Sequence, residues 1–275
     1  MLTAEQKAIL ERLFAQKNLR ELSGKVADTI ASQTDIPLRA VEWFALEKAL
    51  TPRRYRENLG SLGTAGQQKL LESRVIVVGL GGLGGHVVEG LARSGVGQIV
   101  GVDPDLFEET NLNRQLLANE TNLGKKKVDE TCRRLRKVNK AVEFTGYPVT
   151  LEDLPENAWE DADLVFDCLD NIEDRLALAN KCSVADVCLV HGAVAGWYGE
   201  IGLVWPGSGT LDRVYKNKKK RGIEKELGTV SFSVALTANL MLAAGVKVLI
   251  GKTSEKKCQI LFFDLLEDEW ETMTL

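Results

Sequence analysis

Histidine and paired cysteine are what this sequence most lacks. Its 275 residues include two histidines, His86 and His191, and five cysteines, Cys132, Cys168, Cys182, Cys188 and Cys258. No two cysteines form a C-x-x-C pair and their number is odd, so a disulfide framework is not expected and reduced thiols in a cytoplasmic protein are. Without C-x-x-C pairs, and with two histidines that cannot supply four ligands, no structural zinc site is expected. Positive charge is not in excess: 35 Lys and Arg stand against 39 Asp and Glu, a net charge of -4, which argues against a nucleic-acid partner. A secretory leader is not expected, because MLTAEQKAILERLF is a charged helical pattern. One long apolar run exists, Val230 to Gly251. Thr237, Asn239 and Lys247 interrupt it, so a buried core helix is expected there, not a membrane span.

What is present is an ordinary globular balance, 44% hydrophobic and 27% charged, in a chain long enough for one large α/β domain plus an appendage. Residues 1–50 read as helices, with apolar residues at helical spacing in Ile9, Leu10, Leu13 and Phe14, and again in Val41, Phe44 and Leu46. The spacing of the second and third helices is that of a helix-turn-helix. Seven basic residues balance seven acidic ones in this stretch, however, and a packing or partner-docking bundle is the better expectation. Thr51-Pro52 marks the boundary with a second unit, 51–275.

From Arg74 the texture becomes alternating strands and helices. Strands are expected at Arg74–Val78, Gln98–Val102, Val142–Val149, Leu164–Asp167 and Val187–Val190, and helices at His86–Ser94, Lys125–Asn139 and Ile172–Asp186. That order predicts a doubly wound, Rossmann-like, mostly parallel sheet with helices on both faces. Trp197–Trp205 alternates and reads as an added antiparallel strand, and Cys258–Leu265 and Trp270–Leu275 as two closing strands. The charge run 216–226 (KNKKKRGIEKE) reads as a solvated, mobile loop.

The strongest local signal is Gly79-Leu-Gly81-Gly82-Leu-Gly84, which follows a strand and opens a helix. Glycines there let backbone N–H groups approach a phosphate, and the helix N-terminus adds the positive end of its dipole. Asp103 ends the second strand, where an acid can hold ribose hydroxyls. These features specify a nucleotide site and no more.

Further motifs discriminate: Asp105, then Asn111-Leu-Asn-Arg114-Gln115, Gly124-Lys-Lys-Lys127-Val128, and a strand ending Asp167-Cys-Leu-Asp170-Asn171, with Arg54-Tyr55-Arg56-Glu57-Asn58 upstream. In this order they resemble the ThiF/MoeB/HesA adenylating enzymes, relatives of the ubiquitin-activating enzymes, over residues 54 to 275. The resemblance implies ATP and Mg²⁺ as cofactors, a homodimer, and adenylation of a carboxylate. That carboxylate would be the C-terminal glycine of a small ubiquitin-like sulfur carrier in a molybdopterin, tungstopterin or thiamine pathway. It assigns Arg114 and Lys127 to the phosphates and Asp170 to Mg²⁺. It places Gly79, Gly81, Gly82, Gly84, Asp103, Asp105, Asn111 and Gln115 around the nucleotide; Arg175, one turn into the helix, reads more simply as a brace for Asp170.

Two departures stand out. Where relatives carry a second arginine that reaches ATP across a dimer, this chain has Glu57, with Arg56 one residue early and Arg54 as another substitute. The C-x-x-C pairs that hold zinc in many relatives are missing, and 205–228 has no cysteine for a covalent intermediate. As alternatives, Asp170 reads as a helix N-cap, Lys127 as part of a solvated face, and Cys168 as core filler. At the level of the whole chain, an NAD-dependent oxidoreductase and a non-catalytic nucleotide-binding scaffold remain open.

Overall fold

The computed structural model describes residues 2–17, 19, 21–216, 224–253 and 258–275. Most of the charged 216–226 run, and with it the expected loop, lies outside the described residues.

Three helices open the chain: α1 (Ala4–Lys17), α2 (Gly24–Thr34) and α3 (Leu38–Glu47). Ser23 caps α2 by accepting from the Val26 N–H at 3.4 Å, and α2 ends at Asp35 in the left-handed conformation. Leu10, Phe14, Ala27, Ile30, Val41 and Phe44 form a core of their own between these helices. The division at residue 51 is crossed by a feature without a sequence signal. β1 (Glu21–Leu22) pairs in parallel with β2 (Thr51–Pro52), a two-residue strand contact across that boundary.

α4 (Arg56–Glu72), which the pattern does not predict, bends at Gly63, where φ is 72°. Then come β3 (Arg74–Val78), α5 (Gly82–Ser94), β4 (Gln98–Val102), α6 (Lys127–Val138), β5 (Glu143–Tyr147), β6 (Leu164–Asp167), α7 (Ile172–Val184), β7 (Leu189–Ala195), β8 (Tyr198–Val204), α8 (Thr210–Tyr215), α9 (Glu224–Leu227), α10 (Ser231–Leu249), β9 (Gln259–Asp264) and β10 (Glu269–Thr274). The eight-stranded sheet runs β10-β9-β8-β7-β6-β3-β4-β5. β5, β4, β3, β6 and β7 are mutually parallel, and β8, β9 and β10 continue antiparallel.

Because side chains alternate along a strand, β3 serves two cores. Val75 and Val77 pack with α5 and α10 on one face, and Ile76 and Val78 pack with α7 and α8 on the other. α10 is long and apolar enough to cross a membrane; Val234, Ala238 and Met241 pack one face of it against the sheet, and 33% of that span is buried. The chain winds from β3 to β4 and β5 in one direction and to β6 and β7 in the other. That reversal opens a crevice at the carboxyl ends of β3 and β6, where open α/β sheets bind ligands.

Candidate nucleotide site

A cavity of about 560 Å³ occupies that crevice. Gly79, Gly81 and Gly82 line one side, Asp103 and Asp105 follow β4, and Arg114, Gln115 and Lys127 close the roof. Cys168, Leu169 and Asp170 come from the end of β6.

The glycine turn is required by close backbone approach. Gly79 has φ of 89°, and a Cβ there would lie 2.5 Å from the Cys168 carbonyl oxygen. A Cβ at Gly84 would lie 1.8 Å from the Gly79 carbonyl oxygen, so Gly84 seats α5 behind the turn and does not line the cavity. α5 begins at Gly82, earlier than the pattern predicts, and has no side-chain cap. Its first-turn N–H groups therefore face the cavity without a capping side chain, an arrangement suited to phosphate.

Asp103 is 5% exposed and is taken up by the protein itself. Its Oδ2 accepts from the Leu80 N–H at 2.7 Å and its Oδ1 from the Asp105 N–H at 2.9 Å. The accessible acid at the end of β4 is Asp105, whose side chain is 65% exposed. Lys127 belongs to no solvated face: its side chain is 7% exposed, with Nζ 2.8 Å from Asp105 and 3.5 Å from Asp103. A lysine in the first turn of a helix opposes the dipole, and these two carboxylates are what hold it there.

Arg114 lies on the cavity wall and donates to the Thr110 carbonyl and to Asn113 Oδ1, each at 2.9 Å. Gln115 is buried over Gly81, and among the described residues its Oε1 has no hydrogen-bond partner. A buried acceptor left open on a cavity wall is what a ligand donor would satisfy.

Five further residues singled out in the sequence, Asn111, Arg54, Arg56, Asp170 and Arg175, can be placed. Asn111 does not line the cavity. It accepts from the Glu108 N–H at 3.1 Å and caps the turn that presents Arg114 and Gln115. Arg56 lies away from the cavity and pairs with Glu21 of the appendage, while Arg54 Nε sits 3.0 Å from Glu42. Asp170 is not the cap of α7. Asn171 fills that position, accepting from the Asp174 N–H at 2.8 Å, and the Asp170 carboxylate is left exposed at the cavity. Arg175 braces the neighbouring Leu169 carbonyl at 2.8 Å, not Asp170 itself. Burial raises the Cys168 thiol well above its usual range, with Asp167 adding to the effect, so it is a poor nucleophile. Asp174 and Thr150 also line the cavity, without a local signal to announce them. Among the described residues, no three His, Cys, Asp or Glu side chains gather as a metal-binding group.

A model of the ThiF family matches residues 55–275. This chain belongs to the ThiF family. Curated relatives in the family include the adenylyltransferase and sulfurtransferase MOCS3 of Xenopus laevis, 38% identical over 146 residues, or 52% of this chain. The chain spans only 32% of that protein's length. The sulfur carrier protein adenylyltransferase of Thermus thermophilus is 31% identical over 229 residues, covering 79% of this chain and 84% of that protein. Among solved structures, E. coli MccB with AMPCPP and MccA aligns with a TM-score of 0.66 at 22% identity, covering 98% of this chain and 86% of that one. The last likeness concerns the fold. It also takes in the N-terminal helices, which the ThiF match leaves out.

Proposed function

We propose that this ThiF-family protein uses MgATP to adenylate a carboxylate, the C-terminal glycine of a small ubiquitin-like sulfur carrier, and releases pyrophosphate. One observation carries the reading. Beyond the glycine turn, the same cavity presents two cations, Arg114 and Lys127, and an exposed carboxylate, Asp170. A dinucleotide has little use for that combination, whereas a triphosphate with its metal needs both. The open Oε1 of Gln115 and the uncapped start of α5 support the fit of a nucleotide.

The chemistry asks little of a general base. A C-terminal carboxylate is already ionised at neutral pH, since its ordinary pKa is about 3.3–3.7. The barrier is the approach of one anion to another and the departure of a third, so catalysis amounts to positioning and charge neutralisation. The N-terminus of α5 and Arg114 would hold phosphate oxygens. Lys127 would turn from Asp105 toward the phosphates, leaving Asp103 as its second partner. Asp170 would hold Mg²⁺, which would supply charge neutralisation to the phosphates, and one protein carboxylate is enough for such an ion. The homodimer rests on the family resemblance and the cytoplasmic setting on the unpaired cysteines, and any role of Arg54 or Arg56 at a nucleotide would require them to leave Glu42 and Glu21.

A second substrate reading is the C-terminal carboxylate of a peptide. The likeness to MccB bound to MccA favours it, because that likeness includes the appendage. ATP–pyrophosphate exchange tests both readings, with a ubiquitin-like carrier ending in Gly-Gly in one arm and short peptides in the other. Exchange stimulated by neither would remove the adenylation reading.

A further inference from the structure

Beneath the cavity, hydrogen bonds close a ring around Leu169, the residue before Asp170. The Leu169 N–H donates to Asp167 Oδ1 at 3.1 Å. Its carbonyl accepts from Arg175 Nη2 at 2.8 Å and Nε at 3.2 Å. Behind them the two anchors are joined. Asp167 Oδ2 lies 2.7 Å from His191 Nδ1, His191 Nε2 lies 3.0 Å from the Tyr215 hydroxyl, and Arg175 Nη1 donates to that hydroxyl at 3.2 Å.

The hydroxyl of Tyr215 donates to Glu200 Oε1, at 2.7 Å, and its oxygen faces Arg175 Nη1 and His191 Nε2. His191 Nδ1 faces the Asp167 carboxylate, and this arrangement favours a protonated, positively charged imidazole. Burial disfavours that charge, but the hydrogen bonds to Asp167 and Glu200 outweigh burial and raise its pKa. His191 and Arg175 thus sit between Asp167 and Glu200, and none of these four, nor Tyr215, is more than 8% exposed.

Burying such a cluster is costly, and apolar filler would serve a core as well. What the ring fixes is local. The Asp170 carboxylate is exposed and does not cap α7, so its position depends on its backbone. The ring holds both polar groups of the residue before it. A fully satisfied buried network is rigid, and partners of this kind set the orientation of a metal ligand.

We propose that His191 and Tyr215 are positioning residues that hold the Leu169–Asp170 backbone so that the Asp170 carboxylate meets the metal of a bound metal–nucleotide. This rests on the reading of Asp170 given above. It places two residues 24 positions apart, on β7 and α8, behind a ligand neither of them touches.

The test is calorimetric titration of the full chain with ATP, with and without Mg²⁺, and with AMP. Tyr215→Phe removes one oxygen and opens the ring, and His191→Gln opens it at the next member. Each should cut the Mg²⁺-dependent gain in ATP affinity about tenfold, the lower end for partners that orient a metal ligand. Metal-free ATP and AMP should stay within about twofold, and higher Mg²⁺ should restore binding. Unchanged Mg²⁺ dependence in a folded variant would overturn the proposal, as would equal losses for ATP and AMP. If one variant does not fold, the other decides. Failure of both to fold would also count against it, since the ring would then serve folding alone. Absence of any Mg²⁺-dependent gain in the unmodified protein would instead refute the assignment of Asp170.

Discussion

Glu42 offers a pH-dependent test of how the appendage is attached. It lies on α3, is 1% exposed, and places Oε1 3.0 Å from Arg54 Nε. Burial raises its pKa from 4.5 to about 7, against the opposing pull of Arg54 and the Tyr55 hydroxyl. The folded pKa lies above the unfolded one. The linked stability is therefore fully present below about pH 4.5 and is lost as pH rises through about 7. At about 1.4 kcal/mol per pKa unit the whole effect is about 3 kcal/mol, of which about 2–3 kcal/mol falls between pH 8 and pH 5. His191 contributes in the same direction, so the measurement must be a difference. Urea unfolding of the unmodified protein and of Glu42→Gln, from about pH 5 to 8, isolates the one carboxyl. The unmodified protein should gain about 2 kcal/mol relative to the variant as pH falls across that range. A difference that stays flat, or one that grows as pH rises, would mean Glu42 is ionised and held by Arg54, and the reasoning would fail.

Other predictions concern the site. Gly84→Ala should cost more than about 3 kcal/mol of stability, because the 1.8 Å approach is to a backbone oxygen that cannot swing aside; a midpoint in urea near that of the unmodified protein would contradict it. Arg114→Ala and Lys127→Ala should each weaken ATP binding about tenfold or more while AMP changes little, since AMP lacks the outer phosphates, and NAD should bind weakly if at all. Calorimetry with the three nucleotides reads this, and tight NAD binding that ignores both substitutions would revive the oxidoreductase. Elemental analysis after dialysis should find no stoichiometric zinc, and about one zinc per chain would overturn that expectation.

Much of the fold was legible because its signals are local. β3, β4 and β6 each end on the residue their apolar β-branched runs predict, and a strand followed by a glycine turn could hardly be anything but the start of the first βα unit. α4 was not legible: Gly60, Gly63 and Gly66 dilute its helical pattern, and the chain bends at the middle one. The β1–β2 contact, two residues long, leaves no pattern at all. At the site, the glycines, acids and cations brought by adjacent strand ends were readable in order. Some exceptions were decided by near neighbours, as Asn111 was by Glu108, and others by distant partners. Arg56 went to Glu21, 35 positions away, and His191 and Tyr215 became neighbours of Asp167 and Arg175 only through the sheet and α8. Residues of that kind look in sequence like any buried histidine or tyrosine.

The central claim is that the exposed carboxylate of Asp170 and the cations across the cavity serve carboxylate adenylation. ATP–pyrophosphate exchange with Asp170→Ala, in the presence of a ubiquitin-like carrier ending in Gly-Gly, tests it most directly. The unmodified protein should exchange label only when the carrier and Mg²⁺ are both present. The folded variant should fall by about a hundredfold or more, as expected when charge neutralisation in the transition state is lost. A folded variant that keeps more than about half of the original exchange rate would contradict the account.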